Sequence, residues 1–184
     1  MTRIEPLNER HQVAPEGLEA FDRIMGSRKK LTGGPMAMML HSPEMAWRTT
    51  QLSNELRFNS SLPENVLELS IIIGARAADN EFTWSEHVPW AQEAGVSDAA
   101  VDAIGRRTED ISALDETEQI VIEFGNELMY DRKLTDATFE RAKARWGDRG
   151  AIEISHLMGY YGMIGCLVRT AGMQPRPNGP RFPV

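Results

Sequence analysis

From Glu16 to Gly172 the apolar residues of this chain recur three and four positions apart, and the every-second-residue alternation of a half-buried strand is missing. That period allows helices and little else, so an all-α fold is expected. Proline, glycine and capping residues divide the pattern into segments. A first helix is expected over roughly Glu16 to Lys30, with Leu18, Phe21, Ile24 and Met25 on one face and "TGGP" as its stop. Ser42 and Pro43 stand at the cap and first-turn positions of "HSPEMAWRTTQLSNELRF". Pro63 opens the most apolar helix, with Val66, Leu67, Leu69, Ile71, Ile72 and Ile73, which stops near Asp79.

Asn80 is the expected N-cap of the next helix, "NEFTWSEHVPWAQEAGV", interrupted or kinked near Pro89 and ended by Gly95. Ser97 starts a short helix, and "ALDETEQIVIEFGNELMYDRKL" reads as a long amphipathic one. A helix capped by Thr135 and stopped by Gly147 follows, and "AIEISHLMGYYGMIGCLVRTAG" is the last, ended by Gly172. Four prolines in "MQPRPNGPRFPV" exclude a helix, so this tail, about 173–184, should lie extended over a surface, on a neighbouring subunit, or be disordered. With a leader over about 1–14 and no repeat or linker, the 184 residues are expected to form a single domain.

Composition narrows the function. A net charge of −7 and a pI near 5.2 argue against a nucleic-acid binder. The short basic runs Arg28–Lys30 and Arg106–Arg107 read as solvated helix ends. The lone cysteine, Cys166, has no partner for a disulfide or thiol cycle, and its apolar neighbours suggest a small core residue. No signal-peptide-like stretch and no run long enough to span a bilayer is evident, which points to the cytoplasm and away from membranes. The Rossmann glycine pattern, the P-loop, HExxH, paired CxxC and the nucleophile elbow are absent, so no metal or organic cofactor is expected.

Four histidines remain. His11 belongs to a polar leader, His41 to a loop or cap, and His156 to an apolar helix as a satisfied core histidine or a pocket wall. His87 stands apart because Glu68 lies within the apolar run "LELSIII" of the preceding helix. In an antiparallel hairpin broken at Asp79 and Asn80, Glu68 is roughly three turns before the break and His87 roughly two turns after it. The two side chains then come within reach. A carboxylate beside an imidazole raises the imidazole pKa and fixes its tautomer, which suits proton transfer near neutral pH. On spacing alone, the commoner arrangement is that both side chains face solvent.

Glu68, "NEFTWSEH" and "VPWAQEAGVS" together resemble the carboxymuconolactone decarboxylase family, which includes the alkyl hydroperoxidase D type. The redox branch has a glutamate, a CxxC and a histidine four residues after the second cysteine. Laid on this chain, these fall on Glu68, Asn80, Thr83 and His87, so glutamate and histidine match and both sulfurs are gone. The branch without cysteines commonly reads "YEWxxH", and "FTWSEH" keeps an aromatic at Phe82, the tryptophan at Trp84 and the histidine at His87. The likeness extends over roughly Gly34 to Gly172.

The resemblance implies an all-helical bundle built around a central antiparallel hairpin, assembled as a homo-oligomer, trimer or hexamer. It implies His87 and Glu68 as the catalytic pair, a substrate pocket with Phe82, Trp84, Thr83 and Asn80, and no cofactor. Decarboxylation, or related proton-transfer chemistry, of a small lactone or aromatic-degradation acid is the function it implies. The alternatives are a peroxidase of the redox branch, disfavoured because CxxC is absent, and a non-catalytic oligomeric protein that binds a small ligand. Arg76, beyond Glu68 on the same helix, is a candidate carboxylate anchor, though an exposed, unpaired arginine is the commoner reading.

Overall fold

The computed structural model describes residues 2–26 and 34–183, so the basic run Arg28–Lys30 and the end of the first helix lie outside the described residues. Among the described residues the regular structure is entirely helical: α1 (Leu18–Gly26), α2 (Pro35–Met39), α3 (Pro43–Phe58), α4 (Glu64–Ala77), α5 (Glu81–Glu93), α6 (Asp98–Arg106), α7 (Glu116–Gly125) and α8 (Asp136–Ala171). These residues fall into two compact units, one reaching to Asn59 and including Thr170–Met173, the other comprising Ser60–Arg169 and the tail from Gln174.

In the first unit α1 and α2 pack on α3. Single 3-10 turns at Arg10–Gln12 and Pro15–Gly17 lead into α1. The leader is tied down by backbone hydrogen bonds: the Arg3 N–H donates to the Ala171 carbonyl at 2.7 Å and the Leu7 N–H to that of Ala37 at 3.0 Å. Arg10 grips Asp22 through two hydrogen bonds of 2.8 and 3.0 Å.

The second unit is built around α4, which packs chiefly on α5 and α7. Every residue of α4 from Val66 to Ala75 is buried, because this helix is apolar on nearly all sides. Close approach needs small residues at its crossings. A Cβ added to Gly74 would lie 2.6 Å from the Met158 carbonyl oxygen, and one on Gly125 would lie 2.6 Å from Ile73. Substitution at either position drives helices apart.

Several expectations need correction. Pro89 does not interrupt α5, whose residues run helically from Glu81 to Glu93. The long amphipathic helix instead ends at Gly125 and widens into a π-helical stretch, Asn126–Asp131, closed by Arg132 at φ 55. α8 is broken where the sequence places a stop, at Gly147, with φ 69 and ψ 179. Among the described residues, α8 alone is long and apolar enough to cross a membrane, yet half of its most apolar stretch is buried within the chain. The tail follows its first expectation and lies over the surface of its own chain, against α5 and α6.

Candidate active site

The α4–α5 hairpin owes its tightness to local chemistry. The Asn80 N–H donates to the Ala75 carbonyl at 2.8 Å and the Asp79 N–H to that of Arg76 at 3.1 Å, with Asp79 left-handed at φ 47. That pattern is a Schellman C-cap, and aspartate tolerates its left-handed position better than most residues. The next residue starts α5: the Asn80 Oδ1 accepts from the Thr83 N–H at 3.1 Å. One residue therefore closes one helix and opens the other. This fixes the register of α5 on α4.

With that register set, Glu68 and His87 meet. Both are buried, at 3% and 6% exposure, and the His87 Nδ1 lies 2.7 Å from the Glu68 Oε2. A carboxylate only accepts, so an ionised Glu68 places a proton on Nδ1. Burying a lone carboxylate costs several kcal/mol, and the histidine supplies a partner with which it can exchange charge. The solvated alternative is excluded for both side chains.

The imidazole is walled by aromatic edges. The Trp90 ring stands 4.8 Å away at 81° and the Tyr161 ring 5.0 Å away at 75°, while Tyr160 meets Tyr161 edge-on at 5.2 Å. Sequence reasoning did not single out Trp90 or place Tyr161 here. Trp90 was detectable, because it follows His87 by three positions and shares its helix face. Tyr161 comes from α8, and no local pattern announces that meeting.

The other expected pocket residues divide. Asn80 and Thr83 are buried and bonded to each other, the Asn80 Nδ2 donating to the Thr83 Oγ1 at 2.7 Å. Phe82 is half-buried. Trp84, 1% exposed, faces the C-terminal tail: its ring packs 5.2 Å from Phe182 and its Nε1–H donates to the Arg181 carbonyl at 3.2 Å. The tail also reaches the Ser85 Oγ through the Arg176 N–H at 3.2 Å and pairs Arg176 with Glu86. Between them, Ser85 and Pro89 of α5 and the tail residues Arg176 to Pro180 line an open recess of about 380 Å³. Neither Glu68 nor His87 belongs to its lining.

Arg76 is neither exposed nor unpaired. Its Nε donates to the Gly105 carbonyl at 2.8 Å, its guanidinium pairs with Asp79, and it lies 4.5 Å over the Phe182 ring. His156 and Cys166 are not core residues: both sit on the exposed side of α8, and the His156 Nδ1 contacts the Ile152 carbonyl at 2.9 Å. α8 is uncharged from Ile154 to Val168, so composition does not reveal which side of it is inside. His11 is exposed as expected, and His41 lies in the turn before α3, exposed, with its Nε2 2.9 Å from the Glu5 carbonyl. Arg106 pairs with Asp102 on its own helix, and Arg107 lies over the Tyr130 ring at 4.6 Å.

No protein-family model and no curated protein matches the chain. Solved structures do. The debrominase Bmp8 aligns with a TM-score of 0.70 and 19% identity over 96% of this chain and 94% of that one. A cysteine-to-alanine variant of Bmp8 in complex with 2,3,4-tribromopyrrole aligns with the same TM-score. An alkylhydroperoxidase AhpD core, the uncharacterized peroxidase-related protein from Ralstonia eutropha JMP134, aligns at 0.67 with 15% identity over 96% and 93% of the two chains. The fold is AhpD-like. At these identities the likeness concerns the AhpD-like fold alone, and the chemistry has to be read from this chain's residues.

Proposed function

We propose that the chain is a cofactor-independent enzyme of the carboxymuconolactone decarboxylase type, using the Glu68–His87 pair for proton transfer on a small unsaturated ring acid or lactone. The observation that carries this reading is the 2.7 Å contact between a buried carboxylate and a buried imidazole beneath aromatic walls. Such an arrangement holds one ring nitrogen fixed and directs proton exchange with a bound molecule to the other, Nε2. The debrominase neighbour in complex with 2,3,4-tribromopyrrole supports a flat, unsaturated ring as the bound scaffold.

In the reaction, the bond from the ring to its carboxylate breaks and CO2 leaves. The electron pair passes into a conjugated carbonyl, giving a dienolate. His87 then donates the Nε2 proton to carbon while Glu68 stabilises the imidazolium beforehand, and solvent restores the proton. Aromatic surroundings favour loss of the carboxylate's charge. Phe82, Thr83 and Asn80 would border the substrate, with Trp84 behind them. We place the enzyme in the cytoplasm as a homo-oligomer, with the exposed Ile152 and Met163 of α8 as candidate contact residues.

A thiol peroxidase is the weaker reading. Asn80 and Thr83 occupy the two sulfur positions of the redox motif and bond to each other, and Cys166 is a lone thiol on the exposed side of α8 beside Arg169. The test is CO2 release from a panel of unsaturated lactone and heteroaromatic carboxylic acids. His87→Ala should lower the rate about 10²- to 10⁴-fold with the fold retained, and Cys166→Ser should leave it unchanged. Turnover unaffected by His87→Ala sinks the proposal, as does hydroperoxide reduction that Cys166→Ser abolishes.

A further inference from the structure

Around His87 the members of the aromatic cluster differ in one respect. Glu68, His87, Tyr160 and Tyr161 are all at most 6% exposed, whereas Trp90 is 39% exposed. Trp90 is thus the member of this cluster that reaches solvent, and its ring lies edge-on against the imidazole at 4.8 Å. Glu68 on α4 and Tyr161 on α8 take up two other sides of His87. α4 is buried along its length from Val66 to Ala75, so it offers no route inward. A molecule that approaches past the solvent-facing member of the cluster meets the indole before it meets the histidine.

We propose that Trp90 is the gate of the site, a movable side chain that covers His87 and determines which molecules reach it. The indole hangs on the last turn of α5, and the helix ends three residues further at Glu93. A partly solvated side chain on the last turn of a helix exchanges rotamers while the backbone stays in place. Its displacement uncovers the imidazole that its ring now contacts at 4.8 Å, and a planar unsaturated ligand is the class that can stand in for the indole there. That ligand class rests on the proton-transfer reading of Glu68 and His87, but the gate itself is testable without any substrate.

Diethyl pyrocarbonate acylates accessible imidazole nitrogens, and peptide mapping by mass spectrometry reads each histidine separately. His11, His41 and His156, all exposed, serve as internal standards in the same tube. A gate that is open in a minor fraction of molecules slows the His87 reaction by about ten- to a thousandfold relative to those standards. Trp90→Ala should bring the His87 rate up to within about threefold of them, with Trp90→Phe in between. Phe58→Ala, which removes a different exposed aromatic, should leave His87 as protected as before.

The gate is overturned if His87 in the unaltered protein reacts as fast as the exposed histidines, or if it stays equally protected in Trp90→Ala. Should Trp90→Ala fold poorly, judged by its thermal midpoint, Trp90→Phe and Trp90→Leu carry the same prediction with smaller rises, and no rise in either overturns it. Loss of turnover in His87→Ala together with unchanged protection in Trp90→Ala removes the gate and leaves the enzyme. Deprotection in Trp90→Ala without turnover of any acid removes the enzyme and leaves the gate.

Discussion

Glu68 and Glu118 are buried to nearly the same degree, 3% and 4% exposed, and their surroundings make them opposites. Glu118 accepts the Ser97 N–H at 2.7 Å and the Ser97 hydroxyl at 3.0 Å, holding the residue that caps α6 through the Ala100 N–H at 3.0 Å. Its partners are fixed dipoles with no proton to give near neutral pH. Glu68 meets an imidazole instead, a group that gains and loses a proton in that range. Burial of a carboxylate therefore does not mark a working site. The chemistry of its partner is what separates the two.

The largest effect that separates the two concerns turnover. Glu68→Gln should lower CO2 release about 10²-fold or more, because the amide keeps the shape but not the charge that steadies an imidazolium. Glu118→Gln should leave turnover unchanged and instead reduce stability by about 1–3 kcal/mol, since an amide group set against a buried N–H loses part of its bonding. Chemical denaturation of both variants beside the activity assay reads the two outcomes, and equal losses of activity would dissolve the distinction.

Next in size is the tail. Phe182 touches Trp84 and lies under the Arg76 guanidinium, so Phe182→Ala should cost about 1–2 kcal/mol in the same denaturation experiment. Smallest is a pH effect at a third carboxylate. Burial works to raise the Glu127 pKa, but hydrogen bonds from the Thr135 N–H and the Thr138 and Thr135 hydroxyls outweigh it, leaving the group below its ordinary value. A lowered folded-state pKa contributes stability that is complete above the ordinary carboxylate range and disappears as pH falls through the lowered value. The thermal midpoints of the unaltered protein and Glu127→Gln should therefore converge between about pH 6 and about pH 3. A gap that stays constant contradicts that assignment.

The hairpin was legible because local chemistry writes it into the sequence: Asn80 and Gly95 mark the ends of α5 and Pro63 marks the start of α4. Turn arithmetic allowed the Glu68–His87 pair without favouring it, and the family resemblance singled it out. What stayed hidden depends on contacts made far along the chain. Tyr161 joins His87 from α8, and Trp84 meets Arg181 and Phe182 in the tail. The sides of α8 were misjudged for Cys166 and His156 because an uncharged helix gives periodicity no polar stripe to read. Of the interruption or kink expected at Pro89, the interruption does not occur, because α5 continues through the proline to Glu93.

The account stands on one proton, that on the His87 Nδ1. Nitrogen-15 NMR of the imidazole side chains reports the protonation of each ring nitrogen directly. The account predicts that Nδ1 of His87 carries a proton at neutral pH, shifted by its bond to a carboxylate, and that Glu68→Gln moves this signal while those of His11, His41 and His156 stay in place. A His87 with a bare Nδ1, or with signals indifferent to Glu68→Gln, would contradict it.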